Sequence, residues 1–76
     1  MSRLPSCTAL DVARVLKRAG FVFDHAKGSH QYYRHPDRPR SIPVPFHPGD
    51  IKRGLLHEII KQAGLTVDEF TALLRG

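Results

Sequence analysis

Residues 21–36 read FVFDHAKGSHQYYRHP, and this stretch decides what kind of fold the chain adopts. Phe21, Val22 and Phe23 are of the aromatic and β-branched types that fit a pleated, half-buried surface. "AKGS" at 26–29 then supplies the glycine that a short hairpin turn needs, and residues 29–35 return as a second strand. Side chains alternate along a strand, so His30, Tyr32 and Arg34 share one face while Gln31, Tyr33 and His35 share the other. An arginine is rarely buried in a small core. The His30 face is therefore expected to be open to solvent, with Tyr33 turned inward and Gln31 and His35 either near strand ends or satisfied by polar partners.

Working outward, "DRPR" at 37–40 is a second turn, and "SIPVP" at 41–45 is an extended segment interrupted by Pro43 and Pro45. Proline has no N–H to donate to a ladder, which places this third strand at a sheet edge and makes the three strands an antiparallel meander. Upstream, Thr8 and Asp11 form a helix start, and Leu10, Ala13, Leu16 and Ala19, widened by Val12 and Val15, recur at helical spacing. With Lys17 and Arg18 in the last turn and Gly20 just beyond, the first helix covers about residues 8–19. Downstream, Asp50 is expected to cap a second helix whose apolar stripe is Ile51, Leu55, Leu56, Ile59, Ile60 and Ala63, ending at Gly64. Thr66 and Glu69 have capping-box spacing, and Phe70, Leu73 and Leu74 give a short C-terminal helix its apolar face. The order α-β-β-β-α plus a short helix is an α+β two-layer sandwich, the order found in double-stranded-RNA-binding domains.

At 76 residues the chain forms one domain, 1–76, because a core this small leaves nothing to stabilise a second. Its formal charge is +5, and residues 27–53 hold six basic residues against two acids, so +4 of that charge is concentrated there. A local basic surface favours a polyanionic partner. The single cysteine, Cys7, excludes an internal disulfide framework and suits a reducing cytosol; it is read as inert. No apolar run approaches the ~20 residues of a membrane span or the ~7–15 of a signal-peptide core, so a cytoplasmic protein is expected.

A histidine beside a glycine turn on an open basic surface suits phosphodiester chemistry. An imidazole titrates near pH ~6.5, so it can take a proton from a ribose 2′-hydroxyl or give one to a leaving oxygen, help worth typically ~10²–10⁴ in rate. The ordinary alternative for His30 is a surface histidine without function, and for the Tyr32–Tyr33 pair cross-strand packing, although exposed Tyr32 would also suit stacking on single-stranded RNA. His47 and His57 are read as structural or incidental. His25, His30 and His35 recur every five residues, which on strands throws successive members to opposite faces, so no metal site is expected.

Beyond these readings, the chain resembles the HicA (YcfA-like) toxins of bacterial toxin–antitoxin systems. The resemblance runs through "LKRAGF", "KGSHQYYRHP", "IPVPFHPGDIKRGLLHEIIKQAGL" and the terminal "VDEF". It implies a double-stranded-RNA-binding-like fold, a ribonuclease acting on messenger RNA without a metal or other cofactor, and a HicB-type antitoxin that covers the active face of a toxin monomeric when free. By position it nominates His30 as catalytic and maps Lys27, Gly28 and Ser29 onto the same motif. Tyr32, Arg34 and Arg40 join these three as expected RNA contacts on the open basic face. Asp50 and Leu55 depart from the family, whose members often have lysine and threonine at or near those positions. Two alternatives stay open from the residues alone: a non-catalytic RNA-binding module, and a domain whose basic surface serves only an acidic protein partner.

Overall fold

Thr8 accepts a hydrogen bond from the Asp11 backbone N–H through its hydroxyl, and the Asp11 carboxylate accepts one in return from the Thr8 N–H, a complete capping box. From it runs α1, Ala9–Arg18. The computed structural model describes residues 3–76, and the remaining elements are β1 (Val22–Lys27), β2 (His30–Arg34), β3 (Ile42–Pro45), α2 (Arg53–Gln62) and α3 (Val67–Arg75). A second capping box, Thr66 with Glu69, starts α3. The three strands form one antiparallel sheet in the order β1-β2-β3. This is the expected α+β layout, with three helices and a sheet whose other face is open.

Tyr33 and Ile42 pair across β2 and β3, as do Gln31 and Val44, so this face of the sheet turns toward the helices. Tyr33, Ile42 and Val44 are buried there with Val12, Val15 and Leu16 of α1, Leu56, Ile59 and Ile60 of α2, and Phe70 of α3. The two polar residues expected to need partners on this side both have them. Gln31 Oε1 accepts from the Tyr33 hydroxyl at 2.9 Å, and His35 Nδ1 accepts from the Asp37 backbone N–H at 3.0 Å while its ring packs edge-on against Phe21.

Pro43 and Pro45 alternate with Ile42 and Val44 on β3, so their missing donors fall on the outer side of the edge strand and cost no ladder bond. Past Pro45 the ladder continues by one bond, from the Phe46 N–H to the Ser29 carbonyl at 2.7 Å. The hairpin turn between β1 and β2 has two central residues, Gly28 and Ser29, and Gly28 sits at φ 60°, a conformation that glycine adopts without steric penalty.

Three sequence expectations are corrected. Asp50 does not cap α2: its backbone bridges to Thr8, the next N–H, of Ile51, donates to the Cys7 carbonyl at 2.8 Å, and the helix starts after Lys52 with no side-chain cap. Leu10, counted in the α1 stripe, is 70% exposed because the buried face of that helix centres on Val12, Val15 and Leu16. Finally, His25 and His30 do not lie on opposite faces. The two-residue turn pairs Lys27 with His30 and so His25 with Tyr32, on one face, while a register shift between Phe23 and His25 inserts Asp24 as a bulge and moves Phe23 to the face of Tyr33.

Candidate functional site

The ladder partners define the open face. Lys27 stands across from His30, His25 from Tyr32 and Val22 from Arg34 on one side of β2, with Pro45 and Pro43 beside His30 and Tyr32 on the other. His30 and Arg34 are exposed and Tyr32 is partly so, as the alternation along β2 requires. Lys27, Gly28, Ser29 and His30 thus cluster at the turn end of the sheet.

At that end the structure adds a residue that the sequence reading set aside. His47 follows β3 by two residues, and the Phe46–Ser29 backbone bond holds its segment against the hairpin turn. Its ring meets that of His30 edge-on, with centroids 6.2 Å apart and planes at 88°. Ser29 Oγ lies 3.5 Å from His47 Nε2, at the outer limit of a hydrogen bond. Eighteen residues separate Ser29 from His47, and only the pairing of β3 with β2 brings them together. The "VPFHPG" segment carried a signal only in the family resemblance, not in any local spacing.

In the middle of the face, the hairpin register stacks His25 on Tyr32, centroids 4.4 Å apart and planes within 4° of parallel. Asp24 Oδ2 accepts from His25 Nδ1 at 2.8 Å, and Asp24 Oδ1 lies 3.9 Å from Arg34 Nε. The result is a flat aromatic pair with a guanidinium at one end, the composition of a stacking platform for bases. Lys27 makes no ion pair among the described residues, so its ammonium is available to a phosphate.

Arg40 is not part of the turn-end cluster. It lies in the β2–β3 loop and lines a groove of about 470 Å³ with Arg38, Ser41, Pro43, Glu58 and Gln62. That groove opens near the Arg34 end of β2, four residues along the strand from His30, roughly 13 Å away at the usual rise per residue. His57 is exposed on α2, away from the sheet.

Among the described residues no group of three or more His, Cys, Asp or Glu side chains is placed to hold a metal ion. The thiol of Cys7 is fully buried, and burial, reinforced by the charges of Asp11 and Asp50, pushes its pKa up, which leaves it a poor nucleophile. No helix among the described residues is long and apolar enough to cross a membrane.

The open face therefore collects the chemistry of the chain: two imidazoles at the turn, an unpaired ammonium beside them, and an aromatic pair leading to an arginine. Among curated proteins no sequence matches the chain. The family model of the HicA toxin of bacterial toxin–antitoxin systems matches residues 10–65, a span that includes all of α1 but its first residue, the whole sheet, the histidine pair and α2. With well over half of its length matched and the expected fold in place, the chain belongs to the HicA toxin family.

Proposed function

We propose that this chain is a messenger-RNA endoribonuclease toxin that needs no metal, with His30 as its general base. The observation that carries this reading is the exposed His30 imidazole on an open cationic sheet face of a HicA-family toxin. His30 takes the proton from a ribose 2′-hydroxyl as that oxygen attacks the neighbouring phosphorus, leaving a 2′,3′-cyclic phosphate and a 5′-hydroxyl. Lys27 and Arg34 hold backbone phosphates on either side of the reacting linkage, and the Gly28–Ser29 turn leaves the approach to it unobstructed. Tyr32, stacked on His25, receives a base, and Arg40 meets a phosphate further along the strand. A HicB-type antitoxin covers this same face, and the free toxin acts as a monomer in the cytoplasm.

The test is cleavage of a long messenger in EDTA by wild type and by His30→Ala. Wild type should cut, and the variant should be slower by ~10²–10⁴-fold, the usual contribution of one acid–base group. Equal rates in the two proteins remove His30 from the mechanism, and loss of wild-type activity in EDTA implicates a metal. Salt-dependent binding with no cleavage at any enzyme concentration would instead identify an RNA-binding module.

A further inference from the structure

Transesterification at phosphorus moves two protons at two different oxygens. One leaves the attacking O2′ and one arrives on the departing O5′, and in an in-line displacement these oxygens lie on opposite sides of the phosphorus. In a concerted displacement one imidazole cannot serve both oxygens, because the proton it takes from O2′ is held on the side of the phosphorus away from O5′. A pair can, provided each ring comes within about 2.6–3.2 Å of its own oxygen, so the rings must stand several ångströms apart with the phosphate between them.

We infer that His47 is the second catalytic residue of this toxin, the general acid that protonates the leaving 5′-oxygen. Of the other histidines, His25 is stacked on Tyr32 and bonded to Asp24, His35 packs on Phe21 on the helix side of the sheet, and His57 is on α2. Only His47 meets the ring of His30, and the 6.2 Å between centroids leaves room for a phosphate to be approached from both sides. The backbone bond from Phe46 to Ser29 and the nearby Ser29 hydroxyl restrain it, so the pair is positioned before substrate arrives. Lys27 of β1 faces His30 across the ladder, and Asp50 follows in the same loop as His47, its backbone bridged to Thr8 and its charge acting on Cys7. The histidine–carboxylate contacts of the described residues involve His25 and His35, which leaves both members of the pair free of an acid.

The inference rests on the ribonuclease reading, and its step balances. The O2′–P bond forms as neutral His30 takes the 2′ proton, and the P–O5′ bond breaks as protonated His47 gives its proton to O5′. His30 ends protonated and His47 neutral, and exchange with water restores both.

The experiment uses two RNA substrates of one sequence, one normal and one with sulfur replacing the bridging 5′-oxygen at a single linkage, where the thiolate departs without a proton. Wild type, His30→Ala, His47→Ala and His47→Gln are compared on both. The two His47 variants should lose ~10²-fold or more on the normal linkage and return close to wild type on the sulfur linkage, while His30→Ala stays slow on both. The wild-type pH–rate profile should fall at both ends, and His47→Ala should lose the fall at high pH, where the acid is deprotonated. Near-wild-type cleavage of the normal linkage by either His47 variant, or equal slowing on both linkages, overturns the assignment and leaves the ribonuclease reading intact. If wild type cleaves neither substrate, the ribonuclease reading fails and this inference with it. The His47 side chain is exposed, so both variants retain the core.

Discussion

Tyr33 shows how a single side chain can carry the inside of the sheet. Its ring is buried, at 2% exposure, and its hydroxyl donates to Gln31, the one polar neighbour on the same face of β2. Burial raises its pKa, so the hydroxyl remains a donor throughout the neutral range. Tyr33→Phe should cost about 1 kcal/mol, because it leaves the half-buried Gln31 oxygen without a partner, and urea unfolding at neutral pH checks this. The sign with pH follows from the raised value: this contribution is complete below the unfolded tyrosine pKa of about 10 and is lost as pH climbs past it. The next residue in either direction, Tyr32 or Arg34, faces the opposite way, onto the open side of the sheet.

Among the elements, the helices differ in how they begin. The starts of α1 and α3 are closed by side chains three residues apart, so they are legible from "TALD" and "TVDE". The start of α2 is not closed that way: Arg53 Nη2 donates to the Leu4 carbonyl, and the Asp50–Thr8 bridge ties its approach to the N-terminal segment. In the α1 cap the Thr8 N–H holds the Asp11 carboxyl below its ordinary pKa against the opposing effect of burial, with the Thr8 hydroxyl and Arg14 adding to it. A depressed carboxyl contributes stability that is fully present above the unfolded pKa of about 3.9 and is lost as pH falls through the folded value. Wild type should therefore be more stable than Asp11→Asn at neutral pH, with the two denaturation midpoints converging below about pH 4. A gap that persists undiminished at acid pH would mean that charge is not what the cap contributes.

For the whole molecule, the helices cover β2 and β3 while all six residues of β1 stay exposed, so the sheet overhangs its core on the side that carries Lys27 and His25. The arrangement leaves one face of the sheet wholly open, with Lys27 and Arg34 as its cations, and the other basic residues of 27–53 lie in the flanking loops and at the start of α2. RNA binding by a catalytically silent His30→Ala protein should weaken linearly in log–log coordinates as salt rises, each phosphate contact contributing about −0.7 to the slope on single strands. Lys27→Ala and Arg34→Ala should each make that slope shallower by roughly one contact, with similar losses across sequences. An unchanged slope would take those two side chains off the RNA track. Arg34 is the more informative of the pair, since Asp24 already draws on its charge.

The sequence alone determined what local physics controls. Period-two alternation set which side chains of β2 face outward, capping boxes set two helix starts, Gly28 set the turn, and Pro43 and Pro45 marked the edge strand. It thereby placed His30 on an open basic surface and, through its motifs, pointed to the family. Tertiary structure alone decided what depends on register between strands distant in sequence. The bulge at Asp24 overrode strict alternation and turned Phe23 to the side of Tyr33, and the β2–β3 ladder set His47 beside His30. Neither is visible in local spacing, because a one-residue shift reverses every side chain beyond it and a cross-strand neighbour is chosen by pairing, not by distance along the chain.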